Sequence, residues 1–203
     1  NVENCRLMAE WLAAQGFWVL RMGAAVEKPV SSDNPRIIDY ASGYRSDFGD
    51  IFLLGYCKFF VGDTAGIFWP AGILGVPVAL TNLVPITHLY PIAGSMVMPK
   101  KYRRAGTGVL VSYREIVATG LDGILDTQGH QDAGMELVEN SSEEILGMVS
   151  EMNARIDGTW VATPEDEELH ERFWSIFPEG HPSHGCPARV PIDFLQRNRS
   201  LIV

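Results

Sequence analysis

Five consecutive residues, Gly62-Asp63-Thr64-Ala65-Gly66, are the best placed in the sequence to do chemistry. They follow the β-favouring run Lys58-Phe59-Phe60-Val61 and precede the apolar stretch 67–74. In a parallel α/β sheet, ligands bind beyond the carboxyl ends of the strands. Glycines there let the backbone approach a ligand closely, and the free N–H groups of a following helix can hold a phosphate. The Thr64 hydroxyl would add a donor. No Gly-Lys-Ser/Thr follows, so the pattern is weaker than a P-loop, and a plain tight βα turn is the competing reading.

Arg21 closes a second apolar run, Phe17-Trp18-Val19-Leu20-Arg21-Met22. A guanidinium grips phosphate or carboxylate oxygens two at a time, so Arg21 is either an anion partner or half of a surface salt bridge. Thr81 and Asn82, just past the strand expected over 76–80, point to the same crevice or belong to an ordinary polar loop. His181, His184 and Cys186 make an HxxHxC cluster, too few ligands at too unusual a spacing for a typical zinc site. Their better functional reading is a histidine reaching a substrate, against that of a loop ordered by Pro and Gly. The one basic run, Lys100-Lys101-Tyr102-Arg103-Arg104, could attract an anionic donor, glycan or lipid surface, but reads first as a solvated loop. Cys57 reads as a small buried hydrophobe. Trp11, Trp18, Trp69 and Trp174 fall at apolar periodic positions that predict packing, whereas Trp160 stands in a polar context that predicts exposure.

These residues need elements to position them. Apolar spacing predicts a helix over 4–15 stopped by Gly16, then a strand over 17–22 and a shorter one over 36–40. Ser46 or Asp47 can cap a helix running to Tyr56. A strand at 58–61, a helix at 67–74 ended by Gly75 and a strand at 76–80 follow. Residues 81–108 show no period and read as a long loop, as do 122–134. Helices are expected at 112–119, at 145–155 behind the capping box Ser141 to Glu144, at 165–176 and from 192 onward, with a brief strand at 136–138. Strands alternating with helices over short connections predict an α/β fold, a Rossmann-like parallel sheet flanked by helices.

Composition narrows the partners. Lys and Arg total 16 against 25 Asp and Glu, a net charge of −9 over 203 residues, which argues against a nucleic-acid binder. Residues 64–87 carry no charge, yet Pro70, Pro77 and Pro85 interrupt them, so no transmembrane segment is expected. Three widely spaced cysteines fit a reducing compartment, and a cytoplasmic location follows as an expectation, at the inner membrane face if the basic run binds lipid. The chain begins at Asn1 and reads as a piece of something longer.

The run SDFGDIFLLGYCKFFVGDTAGIFWPAGILGVPVALTN resembles the donor-side half of GT-B-type glycosyltransferases. Those domains share Asp-x-x-x-Leu, a strand ending near Gly-x-Ser/Thr-x-Gly, a helix, and Leu-Gly-x-Pro-Val. GFWVLRMG, IIDYASGYRSDF and the closing segment from Phe173 resemble a bacterial glycosyltransferase family of unassigned sugar specificity, distantly similar to fucosyltransferase and heptosyltransferase donor domains. The resemblance implies one nucleotide-sugar-binding unit over 1–203 with a helical extension at 156–203, one half of a two-domain enzyme. It implies a missing N-terminal domain carrying acceptor contacts. It sets Thr64, Ala65 and Gly66 against the donor pyrophosphate and Asp47 at the acidic head of the preceding helix. With Arg21, Asp63, Thr81 and Asn82, these form the expected donor site. The substrate would be a nucleotide-diphosphate sugar and the acceptor a glycan or similar molecule. No cofactor is needed, and no metal, since the sequence has no Asp-x-Asp. Two rivals stand beside this: a sugar-nucleotide 2-epimerase-like isomerase, and a non-catalytic flavodoxin-like binding domain.

Overall fold

The computed structural model describes residues 2–87, 92 and 94–203. Asn1 and residues 88–91 and 93, the latter within the expected loop 81–108, lie outside the described residues.

The chain opens with helix α1 (Arg6–Ala14), which buries Met8, Ala9, Leu12 and Ala13 on one side. Gly16, at φ +92°, takes the left-handed conformation that stops the helix. Strand β1 (Val19–Leu20) runs parallel to β2 (Ile37–Ile38), Val19 opposite Ile37. A single helical turn, α2 (Tyr40–Gly43), leads to α3 (Asp47–Tyr56), where the Ser46 hydroxyl, not Asp47, caps the first turn by accepting from the Gly49 amide at 3.0 Å.

The parallel sheet is built next. Strands β3 (Phe60–Gly62), β4 (Val78–Leu83) and β5 (Met96–Pro99) pair in that order, all parallel, with α4 (Phe68–Ile73) crossing between β3 and β4. Val78, Ala79, Leu80, Thr81 and Leu83 of β4 are all buried, as a central strand covered on both faces requires. Both α4 and α7 (Ser142–Ile156) pack on β4, the latter through Ile145, Met148, Val149 and Met152. The parallel sheets flanked by helices make this an α/β protein.

The region expected to be loop is largely ordered. After β5 the chain forms β6 (Lys101–Arg104), β7 (Leu110–Val111) and β8 (Met135–Val138), an antiparallel sheet in the order β7-β6-β8. Of its strands, β8 falls at the strand expected over 136–138, whereas β6 is the basic run that reads as a solvated loop. Its charges are matched by distant acids. Lys101 meets both Glu144 oxygens at 2.6 and 2.7 Å, Arg103 pairs with Glu136 directly across the strands, and Arg104 pairs with Glu115. Tyr102 turns inward and is fully buried. Residues 122–134 likewise hold a helix, α6 (Thr127–Asp132), capped by Asp126, while α5 (Tyr113–Ala118) carries a Ser112 cap.

The capping box at Ser141 and Glu144 forms as the sequence predicts, and Thr163 with Asp166 makes a second one at α8 (Pro164–Trp174). With α9 (Ile192–Arg197), these helices add Phe173, Phe194 and Leu195 to the same contiguous core as β4 and β5. Trp18, expected to pack, is 60 % exposed with the Arg36 guanidinium 5.4 Å above its ring; Trp160, expected in solvent, packs against the core under Arg155. Among the described residues, no helix is long and apolar enough to cross a membrane.

Candidate functional site

The parallel strands form two sheets, β1 with β2 and β3-β4-β5. Residues of β1 and β3, Val19 and Leu20 on one side and Phe60 to Gly62 on the other, line a cleft of about 710 Å³. Parallel α/β sheets bind ligands outside the carboxyl ends of their strands. This volume falls within the usual range for small-molecule sites.

Each carboxyl end delivers a residue named from the sequence. Arg21 follows β1, Asp63 and Ala65 follow β3, and Thr81 and Asn82 lie near the end of β4, all in the cleft wall. The structure does not bring Asp47, Thr64 or Gly66 into that wall. Asp47 is 97 % exposed at the start of α3, where it pairs with Arg45 at 3.2 Å.

The expected amide cradle is changed by its own aspartate. Asp63 folds back and accepts the Ala65 amide at 3.0 Å. The helix that was to donate free N–H groups begins only at Phe68, and the Phe68 and Trp69 amides bond back to the Ala65 and Gly66 carbonyls at 3.3 Å each. An anion entering this turn has to displace a carboxylate from the Ala65 amide, against like charge.

Arg21 is anchored. Its Nη1 donates to Asp39 at 3.0 Å, its Nη2 to the Lys28 carbonyl at 3.3 Å, and its own carbonyl accepts from the Ala41 amide. Burial pushes the Asp39 carboxyl up, but the Ser42 hydroxyl, the Val30 amide and Arg21 together hold it below the ordinary carboxylate range. Because Asp39 binds Arg21 and the Val30 amide at once, it pins the loop 23–35 at Val30. Glu10 of α1 fastens the C-terminal part of the same loop, accepting from Ser32 at 3.2 Å and from Asn34 at 3.3 Å. Sequence reasoning missed these fastenings, since no local spacing links Glu10 to Ser32.

Thr81 and Asn82 lie within β4, not past it. Thr81 is buried and donates to the Gly62 carbonyl at 3.2 Å, tying β3 to β4. Asn82 takes φ +53° and makes a reciprocal clasp with Asn140: its amide donates to Asn140 Oδ1 at 2.6 Å, and its Oδ1 accepts the Asn140 amide at 2.8 Å. Asn140 is fully buried and also donates to the Pro99 carbonyl at 3.0 Å, so one side chain joins the ends of β4 and β5.

The lower walls are apolar, with Met8, Leu12, Phe17, Leu54 and Ile67. Cys5 and Cys57 are half-buried there, and burial raises both thiols, so neither is a ready nucleophile. The HxxHxC cluster lies elsewhere and is divided. His181 Nε2 meets Asp122 at 2.7 Å and its Nδ1 accepts the Ser183 amide, while His184 Nδ1 meets the Phe177 carbonyl at 2.9 Å. Among the described residues, no group of three His, Cys, Asp or Glu side chains is placed to hold a metal ion.

Fold and cleft thus define an α/β protein with a small-molecule-sized crevice beyond the carboxyl ends of parallel strands. No protein-family model, curated protein or solved structure matches the chain.

Proposed function

We propose that the chain is the donor-binding half of a GT-B-like glycosyltransferase, and that its cleft takes a nucleotide-diphosphate sugar. One observation carries this reading: residues at the carboxyl ends of β1, β3 and β4, strands of two parallel sheets, line one crevice. The glycosyl-transfer chemistry rests on the sequence resemblance.

In this reading the apolar floor between Phe17 and Ile67 receives the base and ribose, and the diphosphate lies toward Arg21 and the Gly62–Ala65 turn. Transfer breaks the bond between the anomeric carbon and the diphosphate oxygen and forms one to the acceptor oxygen. The acceptor's proton goes to a base supplied by a further domain. What this chain contributes is charge stabilisation of the leaving diphosphate, by Arg21 and by backbone amides held in place before reaction. Asp63 acts against it, and occupies the Ala65 amide until the donor arrives.

Isothermal titration with UDP, GDP, ADP and CDP tests the proposal. Arg21→Ala removes a charge-assisted contact and weakens binding by about 10- to 100-fold, equivalent to ~1.5–3 kcal/mol. Asp63→Asn removes a like charge at a distance of several ångströms and tightens binding by ~3- to 10-fold. Absence of heat with all four nucleotides, or unchanged affinity in both variants, refutes it.

A further inference from the structure

Helix α3 has two unlike faces. Leu54 is buried and Leu53 and Asp50 are partly so, whereas Phe48, Ile51, Phe52 and Tyr56 project into solvent, Phe48 at 79 % and Tyr56 at 80 % exposure. The three rings stack as a ladder at i, i+4 and i+8, with centroids 5.9 and 4.8 Å apart. Gly55 lies on the same face and leaves room for Leu74, just past the end of α4: a Cβ on Gly55 would meet Leu74 Cδ1 at 3.0 Å. Leu74 is half exposed and Ile73 beside it is 78 % exposed, so the patch runs on from α3 to the end of α4.

Taking ~200 Å² for a whole aromatic side chain and somewhat less for Ile or Leu, these six residues present on the order of 700 Å² of apolar surface. That exceeds the ~300–600 Å² of the largest patch on a typical monomer. It approaches the ~800 Å² that each partner contributes to a standard interface. Its composition, aromatic and aliphatic without lysine, is that of an interface centre.

We propose that this face is the twofold interface of a homodimer, with α3 packed antiparallel on α3 of a second copy, centred on Phe52. A ladder along one helix is complementary to itself under a twofold axis, which sets Phe48 of one copy near Tyr56 of the other. Antiparallel packing also keeps the acidic first turns, Asp47 and Asp50, away from their counterparts; parallel packing would stack them. Charge disfavours a bilayer as the occupant. The chain carries −9, Arg45 at the patch edge is bound by Asp47 and Asp50, and Lys101, Arg103 and Arg104 are bound by glutamates.

Sedimentation velocity on the full chain from 1 to 100 µM tests this. The wild type sediments as a dimer, and Phe52→Asp raises the dimer dissociation constant at least 100-fold with unchanged circular dichroism. Should Phe52→Asp fail to fold, Ile73→Asp is read in its place, because that side chain stands almost wholly in solvent. Phe52→Cys forms a disulfide between copies under mild oxidation. A wild type that stays monomeric at 100 µM overturns the proposal, whether or not it binds phosphatidylcholine–phosphatidylglycerol vesicles. So does a larger assembly that Phe52→Asp leaves intact.

Discussion

Replacing Asn140 by Ala isolates the clasp that shapes the upper edge of the cleft. The Asn140 side chain is fully buried and saturates two backbone groups, accepting from the Asn82 amide at 2.6 Å and donating to the Pro99 carbonyl at 3.0 Å. Alanine leaves both without a partner, at about 1–3 kcal/mol for each buried group. The main-chain bond from Asn140 to Asn82 Oδ1 survives, so the expected loss is ~3 kcal/mol. For a chain of this size that lowers Tm by ~6–12 °C. Urea unfolding followed by tryptophan fluorescence measures the free energy directly. Asn82→Gly is the matched control. It forfeits one hydrogen bond but relieves the φ of +53°, so its net cost is ~1 kcal/mol or less. If Asn140→Ala costs under ~1 kcal/mol, or Asn82→Gly costs as much as Asn140→Ala, the clasp does not hold the strand ends together.

Three further outcomes follow from the same bonding. Burial, with the Arg189 charge second, lowers the His170 pKa to about 4, and the neutral ring accepts the Trp174 indole N–H at 3.0 Å. The unfolded imidazole protonates first, near 6.5, so this stability is complete above pH 6.5 and lost as pH falls to 4; His170→Gln should flatten the stability profile in that window by ~2 kcal/mol. Glu151 is buried with its carboxyl pushed up by burial, yet it accepts the Ile192 amide at 2.8 Å and Arg155 Nε at 2.8 Å. Glu151→Leu strands both donors, and chemical denaturation should show a loss of ~3–5 kcal/mol; a neutral result would mean that the α9 amide finds another acceptor. Asp39→Ala releases Arg21 and the Val30 amide together, so limited proteolysis should cut within 23–35 faster than in wild type, and an unchanged cleavage rate would show that the loop is held by other contacts.

Local signals in the sequence carried much of this architecture. The elements around β3, α4 and β4 are legible because apolar runs end at glycine and proline, whose backbone preferences act within one turn. Capping boxes fix α7 for a similarly local reason. Strand β6 was hidden because Lys101, Arg103 and Arg104 find their acids on α7, β8 and α5, at separations of 43, 33 and 11 residues. Hydropathy reads such a strand as solvated loop. At the site, the carboxyl ends were legible and their hydrogen bonding was not. Asp63 taking the Ala65 amide, Arg21 held by Asp39, and Asn82 clasping Asn140 all depend on backbone directions that composition does not encode. Trp18 misled because its strand has only two residues paired, and its ring lies outside them under Arg36.

The most direct test of the nucleotide cleft is amide chemical-shift mapping on isotope-labelled protein titrated with UDP and GDP sugars. The account predicts saturable shifts clustered at Met22, Gly23, Gly62, Asp63, Ala65 and Asn82, with the Ala65 amide moving most as the Asp63 carboxylate is displaced. Shifts confined to other surfaces, or none at millimolar nucleotide, contradict it.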